Sequence, residues 1–182
     1  MPLILLILSA LYFMLPAYVA NMAPVIVKRI PIFNVPLDMG RRGRDGKPVF
    51  GSHKTWRGLI AATVFGAAIF ALQQRLYAYE PWRSISLIPY PDEPAILGVL
   101  LGLGAILGDL GKSFLKRRRG IPSGKPWIPF DELDFVAGAL LLSALIVFLP
   151  IRAYAVIIVA SPLLHIAVNH IAFYLKIRKE KW

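Results

Sequence analysis

The chain has 182 residues, 57% of them hydrophobic, and a formal net charge of +11. Its apolar residues come in long uncharged runs, which a soluble domain of this size does not need. The absence of cysteine excludes disulfide and thiolate–metal chemistry. We therefore predict an all-α, polytopic integral membrane protein that forms one transmembrane domain over residues 1–182.

Five apolar runs are each long enough, with their flanks, to cross the hydrocarbon core, which takes about 20 residues of helix. The predicted spanning helices cover roughly residues 3–27, 56–78, 94–115, 131–150 and 153–176. A cleaved signal peptide would have a basic start and a shorter apolar stretch. The first run has neither feature, so we expect it to remain as a helix.

The basic residues are concentrated in three segments. Residues 28–57, 112–125 and 176–181 hold eight, six and four of the 21 Lys and Arg residues. With five spans, all three segments fall on one side of the membrane, which the positive-inside rule makes the cytoplasmic side. The remaining three arginines lie at the opposite ends of helices: Arg75, Arg83 and Arg152.

This charge map predicts the topology of the chain in the cell membrane. The N-terminus is expected outside and the C-terminus inside. Two long basic loops, roughly residues 28–55 and 116–130, are expected at the cytoplasmic face.

An acidic residue lies within the third predicted helix. Asp109 falls in the inner leaflet and shares a helical face with Lys112, Ser113 and Lys116, at spacings of three, four and seven residues. An ionised group at membrane depth is costly unless it faces protein or a wet cavity, so it is a candidate functional residue. The alternative is a buried ion pair with a neighbouring Lys or Arg.

Two further carboxylates, Asp131 and Asp134, lie one turn apart at the entry to the fourth predicted helix. Taken alone, they also suit plain helix capping, because acidic residues in a first turn complement the helix dipole. Together with Asp109 they form a set of carboxylates beside cation-rich loops. Such a set suits Mg²⁺, and the surrounding cations suit a polyphosphate.

Two ordered motifs carry a resemblance to a known family. The first is GDLGKSFLKR at residues 108–117, followed by Gly120, Lys125 and DELD at residues 131–134. It resembles the signature of CTP-dependent phosphatidate cytidylyltransferases, with its Gly-Asp-Leu opening, Ser-x-x-Lys-Arg, distal Lys and closing Asp-x-x-Asp. The second is FGSHKTWRG at residues 50–58, which resembles the same family's Lys-Thr-Trp-Glu-Gly motif with Arg57 in place of Glu.

The segment before the closing aspartates differs from that of bacterial members. They usually have Lys-Asp and His-Gly-Gly there, whereas this chain reads KPWIPF at residues 125–130 and is much shorter overall. These differences resemble the archaeal branch of the family, the CDP-archaeol synthases.

The resemblance implies transfer of CMP from CTP to 2,3-di-O-geranylgeranylglycerol 1-phosphate, an isoprenoid lipid phosphate, at a cytoplasmic active site. It implies Asp109, Asp131 and Asp134 as Mg²⁺ ligands and catalytic residues, with Lys116 as a further catalytic residue. No dedicated general base is expected, since a phosphate monoester is already anionic near neutral pH. The implied substrate-binding residues are Ser52, His53, Lys54, Thr55, Arg57, Lys112, Ser113, Arg117 and Lys125.

Several alternatives stay open on the sequence. A CTP-dependent polyprenol kinase would transfer the γ-phosphoryl group of CTP rather than CMP. A small anion or phosphate transporter would use the basic loops as a vestibule. Arg118 and Arg119 also suit contact with anionic membrane lipids, and His53 also suits a plain loop position. We expect membrane lipids and no nucleic acid as partners, and the sequence leaves a homodimer open.

Overall fold

A computed structural model describes residues 1–122 and 125–174. Within these residues the chain is helical, with two isolated β-bridges and no β-strand. The α-helices are α1 (Leu3–Phe13), α2 (Leu15–Ile26), α3 (Trp56–Leu76), α4 (Glu80–Ser84), α5 (Ile96–Arg118), α6 (Phe130–Ser143) and α7 (Ile151–Tyr174). The all-α membrane fold predicted from hydropathy is confirmed. The basic tail at residues 176–181 and the predicted end of the last helix lie outside the described residues.

The first apolar run is bent rather than being one helix over residues 3–27, as predicted. The chain turns by 45° between α1 and α2 at Met14. Pro16 has no N–H to donate to the carbonyl of Tyr12 four residues earlier, so a regular helix would leave that acceptor unpaired. The side chain of Gln73 on α3 donates to it instead, at 2.6 Å. The bend is therefore stabilised from a neighbouring helix.

Among the described residues, three single helices are long and apolar enough to cross a membrane: α3, α5 and residues Ile151–Ile171 of α7. The bent first segment adds a fourth candidate if it crosses as one unit. The count of five spans is therefore not confirmed, because α6 is too short for the same criterion.

The prediction of a helix over residues 131–150 is wrong at its end. Helix α6 stops at Ser143 after 14 residues, which is a length of about 21 Å. Residues 144–150 form a turn and an irregular stretch, and α7 begins at Ile151, two residues earlier than predicted. Hydropathy could not detect this end, because residues 144–150 are as apolar as the helix before them.

Helix α5 lies at the centre of the bundle, with α3 on one side and α6 on the other. Glycines allow the close approach on both sides. On the α3 side, a Cβ at Gly66 would lie 2.6 Å from the Cα of Gly102, and on the α6 side a Cβ at Gly104 would lie 2.8 Å from the Cα of Ala139. These separations are shorter than any real Cβ contact, so only glycine fits there. Helix α2 packs against α3 and α5, and α1 packs against α7.

Backbone hydrogen bonds join the two sides of the loop between α2 and α3 near the start of α3. The N–H of Leu37 donates to the carbonyl of Lys54 at 2.7 Å, and the N–H of Trp56 donates to the carbonyl of Val35 at 3.0 Å. These bonds place residues 33–37 alongside residues 54–57. They bring Lys54 to the start of α3, at the end of the bundle where α5 ends and α6 begins.

Candidate active site

Lys112 lies at the centre of a cluster of carboxylates. Its Nζ is 3.2 Å from Asp109 Oδ1, 2.9 Å from Asp131 Oδ1 and 2.6 Å from Asp134 Oδ2. The Lys112 side chain is only 14% exposed. One ammonium group thus holds together three carboxylates from two helices, in a setting where such pairs are weakly screened.

Helix geometry and a glycine bring these groups together. Asp109 and Lys112 are one turn apart on α5, and Asp131 and Asp134 are one turn apart in the first turns of α6. Gly108 has no side chain to hold α6 away. A Cβ at that position would overlap the backbone carbonyl of Asp134.

Lys116 extends the cluster towards the second loop, residues 119–129. Its buried Nζ lies 3.1 and 3.2 Å from the two carboxylate oxygens of Asp131 and also donates to the backbone carbonyl of Lys125. Asp131 in turn accepts from the backbone N–H of Trp127, which precedes α6. Pro129 occupies the N-cap and has no side-chain cap bond. Asp131 therefore fixes the loop rather than capping the first turn of its helix.

The two sequence motifs meet through Lys54 and Asp109. Lys54 Nζ forms an ion pair with Asp109 Oδ2, although the residues are 55 positions apart. Asp109 is thus shared between Lys54 from the first motif and Lys112 from the second. The second motif's closing aspartates reach the same cluster through Lys112.

Other residues of the first motif have structural contacts. Thr55 is the N-cap of α3, and its hydroxyl accepts from the N–H of Gly58 at 3.3 Å. Arg57 donates to the carbonyl of Ile30 and so ties α3 to the preceding loop. Ser52 and His53 are exposed in the turn just before Lys54. The structure therefore brings only Lys54 of this motif into the cluster.

The remaining predicted residues lie around the C-terminal half of α5. Ser113 is buried on the same helix as Asp109 and Lys112. Arg117 is partly buried, and its Nε has no hydrogen-bond partner among the described residues. The side chain of Lys125 is exposed, whereas its carbonyl binds Lys116. Arg117 is thus a cation next to Lys116 in sequence. Its Nε–H makes no hydrogen bond among the described residues.

The sequence analysis missed the role of Asp38. Its carboxylate accepts from three backbone N–H groups, those of Gly40, Phe50 and Gly51, each at 3.0 Å. Burial tends to raise the pKa of Asp38, but the N–H groups of Gly51, Phe50 and Gly40 outweigh it, so the pKa lies below its usual value. The Asp-x-Gly spacing was the available signal, because Asp commonly bonds the backbone two residues ahead.

Glu132 lies in the first turn of α6, between Asp131 and Asp134 in sequence. It is buried, with a residue exposure of only 6%, and its Oε2 has no hydrogen-bond partner among the described residues. Its spacing from Phe135 and Val136, three and four residues on, was a signal that it shares their buried face.

These features define a helical membrane protein with a largely buried ionic cluster at one end of its bundle, where two basic loops meet. Residues 3–182 match the sequence profile of the family described as "CarS-like: CDP-archaeol synthase". The chain belongs to the CDP-archaeol synthase family.

Individual relatives agree over nearly the whole chain. The CDP-archaeol synthase of Pyrococcus furiosus is 35% identical, with 97% of this chain and 98% of the relative covered. That of Thermococcus onnurineus is 38% identical, with 97% of each chain covered. That of Methanospirillum hungatei is 37% identical, with 93% of this chain and all of the relative covered.

A solved structure is also similar. It is described as an intramembrane enzyme for archaeal membrane lipid biosynthesis, and it matches this chain with a TM-score of 0.72 and 35% identity. The match covers 90% of this chain and 94% of the other. This likeness supports the bundle described above as the fold of a membrane-embedded enzyme.

Proposed function

We propose that this chain transfers CMP from CTP to an isoprenoid glycerol phosphate, 2,3-di-O-geranylgeranylglycerol 1-phosphate, and releases pyrophosphate. The observation that carries the proposal is the ion pair between Lys54 and Asp109. It joins the two motifs at one cluster, next to the aspartates that close the second motif. Membership of the CDP-archaeol synthase family supplies the reaction class.

The reaction forms one phosphoanhydride bond and breaks another. An oxygen of the lipid phosphate attacks the α-phosphorus of CTP, and the bond from that phosphorus to the β-phosphate oxygen breaks. Pyrophosphate leaves with the bonding electrons. Because the nucleophile is already an anion, the protein mainly has to position two polyanions and offset their mutual repulsion.

We propose that Asp109, Asp131 and Asp134 hold the divalent cation that this chemistry uses, with Mg²⁺ as the expected ion. Their donor atoms fit, since Mg²⁺ prefers carboxylate oxygens and phosphates. In the structure, no three acidic or histidine side chains among the described residues are arranged so that they could hold a metal ion. Lys112 Nζ lies between the three carboxylates, so it would have to move aside. When bound, the ion would neutralise charge on the phosphates.

The cations around the cluster are the proposed phosphate ligands. The side chain of Lys112, once displaced from the carboxylates, can turn towards phosphate, and so can that of Lys116. Neither movement requires a change in the backbone of α5. Arg117 supports this proposal because its Nε has no partner among the described residues, and guanidinium groups bind phosphate well. Lys54 and Lys125 would contribute from the two loops. We propose that Ser113 supplies a hydroxyl partner.

The orientation of the site is also a proposal. CTP is made in the cytoplasm and does not cross membranes unaided, and the basic loops that meet at the cluster favour the cytoplasmic side. The site would then lie at the inner face of the cell membrane, where a soluble nucleotide and a lipid phosphate can both reach it.

The test uses purified protein with CTP labelled at the α-phosphate, Mg²⁺ and the isoprenoid glycerol phosphate. Label should enter the lipid while pyrophosphate accumulates in equal amount. A parallel reaction with label at the γ-phosphate examines the kinase alternative, in which the lipid would receive γ-label instead. Incorporation of γ-label, or of neither label, would overturn the proposal. A variant with Asp134→Asn provides the matched control for background transfer.

A further inference from the structure

Residues 41–49 in the first loop form a short hairpin, called here the loop hairpin. Its arms are joined by a β-bridge between Arg42 and Pro48, and the N–H of Gly43 donates to the carbonyl of Lys47 at 2.8 Å. The N–H of Val49 donates to the carbonyl of Arg41 at 3.3 Å. The hairpin lies 5 to 13 residues before Lys54, the residue that reaches the cluster.

Arg118, the last residue of α5, binds this hairpin. Its guanidinium forms an ion pair with Asp45 and donates to the carbonyls of Lys47, at 3.1 Å, and of Pro48, at 2.5 Å. In return, Lys47 Nζ donates to the carbonyl of Arg118 at 3.2 Å. The guanidinium also lies 5.1 Å from the centre of the Phe114 ring. The planar group is thus bound by several partners at once, which suits arginine and not lysine.

The hairpin is shaped to receive this side chain. A Cβ added at Gly43 would overlap Arg118 Nη1 and lie 3.0 Å from its Cζ. Gly43 has no positive φ, so a side chain here would cause no backbone strain, but it would displace the Arg118 guanidinium from its place against the hairpin. A surface ion pair alone would contribute little. The fit of Gly43 and the two carbonyl bonds distinguish this contact from a chance pairing.

The first loop therefore touches α5 at two places. One is the Lys54–Asp109 ion pair, and the other is the Arg118 contact nine residues further along the helix. Nine residues of helix correspond to about 14 Å. Lys112, Lys116 and Arg117, the proposed phosphate ligands, lie on the segment of α5 between the two attachments. The loop is thus fastened at both ends of the segment that would face a nucleotide.

We propose that Arg118 is a positioning residue that fixes the loop hairpin over the nucleotide-binding segment of α5 and thereby keeps Lys54 in place. This inference rests on the proposed use of CTP at this site. Arg118 has its hydrogen bonds in the loop, so it acts on CTP through the loop. It is therefore expected to affect CTP binding more than the chemical step or lipid binding.

The test compares Arg118→Ala, Arg118→Lys and Gly43→Ala with the wild type. Arg118→Ala should raise the KM for CTP about tenfold, as expected for lost hydrogen bonds to a charged group. The kcat and the KM for the lipid phosphate should change much less. Gly43→Ala leaves Arg118 in the chain but pushes its guanidinium away, so it should shift the same parameter in the same direction. Arg118→Lys keeps the positive charge but lacks the forked guanidinium group. Its KM for CTP should lie between those of the wild type and Arg118→Ala.

Amide hydrogen exchange provides a readout that does not need activity. In Arg118→Ala and Gly43→Ala the amides of residues 41–49 should exchange faster, while those of α3 and α5 stay protected. Arg44→Ala is the matched control, because it removes an exposed charge from the same hairpin. It should leave both the KM for CTP and the exchange unchanged.

Unchanged hairpin exchange in Arg118→Ala, or an unchanged KM for CTP, would overturn the inference. An equal effect of Arg44→Ala would also overturn it, since net loop charge would then explain the result. If wild-type protein transfers no CMP, the proposed function fails by itself. Hairpin exchange then decides whether Arg118 holds the loop.

Discussion

Gly108 on α5 lies directly against the backbone carbonyl of Asp134 on α6, so that even one additional methyl group at Gly108 would overlap that oxygen. Both residues belong to the second motif, where they are 26 positions apart. The contact sets how far α6 stands from α5, and therefore how close Asp134 comes to Lys112, which it meets at 2.6 Å.

We expect Gly108→Ala to push α6 outward and break up the cluster. Overpacking of this kind typically costs about 1–3 kcal/mol, and CMP transfer should fall with it. Gly111→Ala is the matched control, since no heavy atom lies within 4 Å of the added Cβ and Ala is the better helix former. Thermal unfolding should show a lowered Tm for Gly108→Ala and an unlowered Tm for Gly111→Ala. An equal loss in both variants would contradict the steric explanation.

Asp134→Asn should abolish transfer while the protein stays folded in the membrane. A neutral amide of the same size is a poor Mg²⁺ ligand, and losing charge stabilisation at a metal site costs several kcal/mol. We expect kcat to fall by at least about 100-fold. Size-exclusion profile and Tm should remain close to those of the wild type. Near-normal turnover would show that Asp134 is not needed as a ligand.

The sequence predicted α3 and α5 closely because polar or charged residues mark one end of each helix. Helix α3 begins after Thr55, whose hydroxyl caps it, and α5 ends in the basic run at Arg118. The ends of α1 and α6 carry no such mark. The bend at Met14 depends on Gln73 from another helix, and a contact of that kind cannot be read from local hydropathy.

The grouping of the candidate site residues was only partly predictable from the sequence. Helical spacing correctly placed Asp109 and Lys112 together on one face. It could not show that Lys112 also meets aspartates from α6, because that contact depends on the approach at Gly108. For Arg118 the sequence left contact with anionic lipids open, whereas in the structure it binds the loop hairpin.

Glu132→Gln should stabilise the protein. Glu132 is buried, its Oε2 has no hydrogen-bond partner, and no cation lies within ion-pair distance among the described residues. A buried charge without a partner is costly, so the neutral isostere should add about 1 kcal/mol or more to the free energy of unfolding. Chemical denaturation of the purified protein measures it. A marked loss of stability would mean that the carboxylate has a partner that this arrangement lacks.

Lys54→Ala should raise the KM for CTP several-fold or more, with a smaller effect on the KM for the lipid phosphate. Lys54 is a quarter exposed at the loop side of the cluster and pairs with Asp109, so its loss removes a cation on the side where a soluble nucleotide enters. Steady-state kinetics with each substrate varied in turn separates the two constants. Arg41→Ala removes an exposed charge from the same loop and should change neither. A change confined to the lipid constant would reassign Lys54 to the lipid phosphate.

The two loops that meet at the cluster should face the same side of the membrane. Ser52 lies in the first loop and Pro122 in the second, and both are exposed. Ser84 ends α4, between the spanning helices α3 and α5 and therefore at the far end of both. The native chain has no cysteine, so single cysteines at these three positions can be labelled without background.

In inside-out vesicles an impermeant maleimide should label Ser52→Cys and Pro122→Cys. Ser84→Cys should react only in right-side-out vesicles. Labelling of Ser52→Cys and Pro122→Cys from opposite sides would mean an odd number of crossings between them, which the ion pair between Lys54 and Asp109 does not allow.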